Sequence, residues 1–130
     1  MQTNYSVQIE DFASRHFIKS FQKKYKASWD VTLIAIKAEL ERIDMLLLTD
    51  KAEAIYDTGE LKIIKTQFKV AGTNESAKSS GNRCIVAWYP VKQFVSVLLV
   101  YCKTDLSGHN ETAQWKKIIR DNYLEYSKVL

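Results

Sequence analysis

The sequence predicts an α+β fold in which a small antiparallel sheet packs against two N-terminal helices and a C-terminal helix. Three observations carry that expectation: helical periodicity from residue 11 to residue 47, three consecutive strand patterns between residues 61 and 101, and a capped helical segment after Asn110. At 130 residues and 46% hydrophobic content, the chain is long and apolar enough for a single domain, 1–130, with a core of its own.

Tyr5, Val7 and Ile9 alternate with polar neighbours and read as a short edge strand. From residue 11 to 25, Phe17, Ile18, Phe21 and Tyr25 recur at helical spacing, with Arg15, Lys19, Lys23 and Lys24 mostly off that stripe. Ser28 then offers an N-cap with Asp30 in the first turn, and Leu33, Ile36, Leu40, Ile43 and Leu47 follow at steps of three and four. That seam is too short for a coiled coil and is expected to pack on the sheet or on the first helix.

The segment Asp57-Thr58-Gly59-Glu60 marks a turn, after which Ile64, Thr66, Phe68 and Val70 alternate with Lys65, Gln67 and Lys69. The Ile63–Ile64 doublet interrupts the alternation, so a bulge there would decide whether Lys62 joins Lys65 and Lys69 on one surface. GTNESAKSSGN, residues 72 to 82, is a polar connection longer than an ordinary hairpin loop. Two more strands follow, 83 to 89 and 94 to 101; Pro90 ends the first, and the second, FVSVLLVY, is apolar on both faces and therefore interior. Asn110 caps the last helix, whose Trp115, Ile118, Ile119, Asn122, Tyr123 and Tyr126 form a mixed face, with Lys116, Lys117 and Arg120 projecting elsewhere.

Charge is segregated along the chain. Residues 1 to 60 carry eight Lys/Arg against ten Asp/Glu, whereas residues 61 to 130 carry eleven against five. Between Leu61 and Lys103 the basic residues Lys62, Lys65, Lys69, Lys78, Arg83, Lys92 and Lys103 meet one acid, Glu75. Cations fixed on a sheet attract phosphate, which makes a nucleic acid the expected partner; a solvated lysine face is the plainer alternative. No apolar run approaches a membrane span and the N-terminal residues do not form a secretory signal, so the expected location is cytoplasmic, with no membrane partner. Cys84 and Cys102 lie in apolar runs without metal-ligand spacing, and are expected to be buried thiols. No glycine-rich phosphate loop, paired-carboxylate site, Ser/His/Asp arrangement or metal cluster is visible, which leaves kinase, glycosidase, serine hydrolase and zinc-enzyme readings without residues, and no cofactor or metal is called for.

The element order, the basic strand LKIIKTQFKV, the Ser-Gly-x-Arg turn in KSSGNRCIVAWY and the aliphatic strand closing on Tyr-x-Lys in FVSVLLVYCKTD together resemble the RelE/HigB-like toxins of bacterial toxin–antitoxin pairs, members of the RelE/ParE superfamily. The resemblance spans most of residues 5 to 128. It implies a RelE-like fold and a metal-independent endoribonuclease that cleaves messenger RNA, commonly on the ribosome, and is neutralised by a cognate antitoxin protein.

In that chemistry a 2′-hydroxyl attacks the adjacent phosphate, which requires a base, cations to stabilise the transition state and an acid for the leaving 5′-oxygen. On the family's pattern Lys62, Lys65 and Lys69 match the basic strand, Arg83 the arginine after the glycine turn, and Lys103 the basic residue closing the last strand. Arg83 is the strongest candidate because its guanidinium holds two phosphate oxygens at once. Lys65, Arg83 and Lys103, together with a proton-transfer group at His109 or Tyr101, are the expected catalytic set; Lys62, Lys69 and Lys78 are expected RNA contacts. Tyr101 shares a face with Lys103 by strand parity, so it is also a candidate for stacking on a base, as a core-edge aromatic is the alternative. Where the family has a further basic residue, this chain has Thr104-Asp105. His16 is assigned to structure or solvent. The rival class is a non-catalytic binding module of the same fold, such as a gyrase-inhibiting toxin or a regulatory factor, with Trp88, Tyr89 and Tyr101 stacking on single-stranded RNA.

Overall fold

The computed structural model describes residues 4–106 and 110–130. Its centre is a five-stranded sheet of order β1-β5-β4-β3-β2, formed by β1 (Ser6–Ile9), β2 (Ala52–Asp57), β3 (Lys62–Phe68), β4 (Asn82–Tyr89) and β5 (Phe94–Cys102). β2 to β5 form an antiparallel set, and β1 joins β5 in parallel at the edge. The strand β2 lies outside the three consecutive strands expected from the sequence. Its AEAIYD text has little β-branched content, and it is recruited as an edge by β3, whose ladder outweighs its weak propensity.

The first helical stretch comprises α1 (Asp11–Ala13), a π-helical turn over Ser14–Ile18 and α2 (Lys19–Tyr25). It ends where Lys26 adopts φ of 54°, and α3 (Ala27–Leu40) starts at once. Ser28 therefore lies inside α3 and is not its cap. Its carbonyl accepts from the Thr32 hydroxyl, which in turn accepts from the Ala71 backbone N–H at 2.8 Å and ties α3 to the segment that follows β3. The expected long helix breaks after Leu40 and resumes as α4 (Ile43–Leu46). Ile36, Leu40, Ile43 and Leu46 still reach the core, which is why the apolar stepping passes through the break unmarked.

Both faces of the sheet are covered. On one face Ile64, Phe68, Cys84, Val86, Trp88, Val95 and Val97 pack under α2, α3 and α4, with the Phe21 and Trp29 rings stacked 4.6 Å apart at centroid. On the other, Ile63, Ile85, Leu98, Leu99 and Tyr101 meet Trp115 and Ile119 of α5 (Glu111–Asn122). Asn110 caps α5 through its Oδ1, which accepts from the Ala113 N–H. Cys84 is a buried thiol whose pKa burial pushes up to about 12, whereas Cys102 is only half-buried. Among the described residues no helix is long and apolar enough to cross a membrane.

Candidate anion site on the sheet

The double-sided burial of the sheet explains the Ile63–Ile64 doublet. β3 runs without a bulge against β4, from Lys62 opposite Trp88 to Phe68 opposite Asn82, and the irregularity falls in β2, between Ala54 and Tyr56. Each isoleucine therefore faces a different core, and strict parity sends Lys62 to the opposite face from Lys65. Lys62 stands over the Trp88 ring, 5.0 Å from its centroid, and pairs with Asp57 at 3.7 Å. Lys69 also departs from the expected surface: β3 has ended at Phe68, and Lys69 lines a cleft beside α3 with Val31, Ala35 and Glu39. The convergence of Lys65 with Lys69 expected from parity is not formed.

Lys65, Gln67, Ile85, Arg83 and Tyr101 share the α5-covered face. Arg83 lies directly opposite Gln67 on one side and Tyr101 on the other, with Lys65 on the neighbouring diagonal. Arg83 is only 8% exposed. Its Nη1 donates to the Asn82 carbonyl at 3.0 Å and its Nη2 to the Lys78 carbonyl at 3.4 Å, which fastens the loop before β4. Among the described residues no carboxylate lies within ion-pair distance of this guanidinium. The Gln67 Oε1 beside it is buried without a hydrogen-bond partner among the described residues.

The residue that sequence reasoning missed is Glu111. From the first turn of α5 its Oε2 accepts a hydrogen bond from the Tyr101 hydroxyl at 2.6 Å and lies 3.5 Å from Lys65 Nζ. Burial alone would raise the Glu111 pKa, but the Tyr101 hydrogen bond and the charges of Lys65 and Arg83 outweigh it and hold the carboxyl below its ordinary value. Tyr101 moves the other way, raised by burial and by the Glu111 hydrogen bond and charge, so it stays protonated as a donor. It is fully buried and offers no ring face to a base, which removes the stacking role. Trp88 is likewise buried, and the Tyr89 hydroxyl is engaged with that of Tyr126 at 2.6 Å.

Lys65 also reaches a polar cleft of about 230 Å³, shared with Asp50, Lys51, Glu53, Gln67 and Lys78. Lys103 sits in a short 3₁₀ turn at the end of β5, exposed, with its N–H donating to the Gly81 carbonyl at 2.8 Å. Gly81 has φ of 78°, and a Cβ there would meet the Lys103 stem at 3.0 Å, so glycine lets that side chain cross the backbone just before Arg83. His109 lies outside the described residues.

A chain of the archaeal RelE–RelB complex from Pyrococcus horikoshii OT3, known as a crystal structure, matches this protein with a TM-score of 0.54. The match covers 76% of this chain and 94% of the archaeal one, at 15% sequence identity. The fold is RelE-like. No protein-family model and no curated protein matches the sequence. On this RelE-like sheet, Lys65, Arg83, Tyr101 and Glu111 form one cluster, and Lys78 and Lys103 border it.

The cluster carries a pH signature. Because the folded-state pKa of Glu111 is depressed, its contribution to stability is full above the unfolded value, about 4.3, and is lost as pH falls through the folded value. The difference in melting temperature between the wild type and Glu111→Gln is therefore expected to be largest near neutrality and to shrink below about pH 4.3. A constant difference down to pH 2 would show that Glu111 is not ionised in the cluster.

Proposed function

We propose that the protein is the toxin component of a toxin–antitoxin pair and a metal-independent endoribonuclease that cleaves messenger RNA at the ribosome in the cytoplasm. The observation that carries this reading is the Arg83 guanidinium: nearly buried, with donors to spare and, among the described residues, no carboxylate at ion-pair distance, next to a second cation, Lys65. A buried cation left without a direct counter-charge is costly, and an incoming phosphodiester supplies one. In this reading Arg83 and Lys65 hold the phosphate and stabilise the charge that develops as the 2′-hydroxyl attacks. Lys78 and Lys103 hold the flanking strand, and His109 moves the proton. Lys62 and Lys69, placed on other surfaces, are withdrawn from the site.

An antitoxin partner is supported by the archaeal structure, itself a complex with RelB, and by apolar side chains left in solvent on α3 and α4 and in the turn after α4: Val31, Ile34, Met45 and Leu48.

Induced expression is expected to arrest bacterial growth, and co-expression of its cognate antitoxin to restore it. Purified protein is expected to cleave RNA, free or ribosome-bound, in the presence of a chelator. At saturating RNA, His109→Ala is expected to lower turnover while leaving affinity nearly unchanged, because a proton-transfer group acts on the chemical step. Absence of cleavage by the wild type on either substrate would select the non-catalytic binding module.

A further inference from the structure

The carboxylate of Glu111 does not serve the helix that carries it. Capping of α5 is done by Asn110, whose Oδ1 accepts from the Ala113 N–H, and Glu111 instead turns towards the sheet. One oxygen, Oε2, takes both contacts there, from the Tyr101 hydroxyl at 2.6 Å and Lys65 Nζ at 3.5 Å. Arg83 stands directly across the β4–β5 ladder from Tyr101. One cation and one hydroxyl donor thus hold a single carboxylate, with a second cation, Arg83, across the ladder beyond ion-pair distance, while the Lys65 and Glu111 side chains are 17% and 27% exposed and remain within reach of solvent.

We infer that Glu111 is an internal stand-in for phosphate, occupying the anion position between Lys65 and Tyr101 in the free protein and yielding it to an RNA phosphodiester. The inference rests on the proposed RNA reading of the Lys65–Arg83 site. Its physical basis is that a carboxylate and a phosphate cannot share one lysine at contact distance without like-charge repulsion. A phosphodiester presents two non-bridging oxygens, which match a lysine and an arginine fork better than one carboxylate oxygen does.

The consequence is selectivity. Any anion entering the site must first replace the Lys65 and Tyr101 contacts of Glu111. A small anion gains only those contacts back, whereas an RNA strand adds its contacts at Lys78 and Lys103 and displaces the carboxylate with a net gain. Asn110 keeps α5 capped throughout, so the helix end does not depend on the Glu111 side chain.

The test uses the full chain with two probes: inorganic phosphate, and a short single-stranded oligonucleotide of 2′-deoxyriboses, which lacks the attacking hydroxyl and survives binding. Glu111→Gln, folded by circular dichroism, is expected to bind the oligonucleotide about tenfold more tightly than the wild type, the size of one charge-assisted contact. Inorganic phosphate is expected to raise its melting temperature more than it raises that of the wild type, through ligand linkage. Adding Lys65→Gln to Glu111→Gln should abolish both gains. Equal or weaker binding by Glu111→Gln, with binding still lost on Lys65→Gln alone, would overturn the stand-in role and leave the RNA site standing. Equal binding by the wild type, Glu111→Gln and the double variant would place the nucleic-acid contacts elsewhere and overturn both.

Discussion

Arg83→Ala is expected to lower RNA cleavage by about two orders of magnitude or more, the loss that follows removal of one electrostatic donor to a transition state. Arg83 also holds the carbonyls of Asn82 and Lys78, so the alanine variant loosens the loop before β4 as well as removing a charge. Arg83→Gln separates the two effects, since its amide N–H₂ still donates while the charge is gone. Cleavage is expected to fall nearly as far in Arg83→Gln as in Arg83→Ala, with a smaller loss of melting temperature. Arg83→Lys restores a charge without the planar fork and is expected to recover only part of the rate. Wild-type cleavage by a well-folded Arg83→Gln would remove the guanidinium from the chemistry and leave it the loop anchor alone.

What the sequence made legible follows the strength of its local patterns. The alternation from Ile64 to Val70 and the all-apolar FVSVLLVY identify strands because few other structures bury such text, and the Asn110 cap fixes the start of α5 to the residue. Where two patterns overlap, local reading fails. The Ile63–Ile64 doublet looks like a bulge only if one face of the sheet is assumed to be wet; α5 covers that face, parity is unbroken, and Lys62 is carried away from Lys65. Ala52–Asp57 becomes a strand through its partner β3 and not through its own propensity.

The site divides in the same way. Arg83 stands out because a cation after a glycine turn enters an apolar strand. Strand parity groups Lys69 with Lys65, but that parity stops where the strand stops, at Phe68. Glu111 carries no signal at all. An acid in the first turn of a helix is ordinary dipole chemistry, and only the docking of α5 on the sheet brings it to Tyr101 and to Lys65, which is remote in the chain.

That docking is held by Trp115, four residues after Glu111 and so on the same side of α5, fully buried against the face formed by Ile63, Ile85 and Leu99. Trp115→Ala is expected to cost about 3–5 kcal/mol of unfolding free energy, because the cavity lies between a helix and a sheet that cannot close on it. Trp115→Phe should cost only a fraction of that: the indole Nε1 has no hydrogen-bond partner among the described residues, so the exchange removes volume and no polar contact. Denaturant titration measures both losses. The phenylalanine variant, which keeps the fold, also carries the consequence for the site, since a looser α5 holds Glu111 less firmly over Lys65 and the acid-range dependence of stability described above should flatten in step. A loss below about 1 kcal/mol for the alanine variant would mean that α5 rests on the sheet without being fastened to it, far under the range for a buried aromatic. Glu111 would then owe its position to Lys65 and Tyr101 alone.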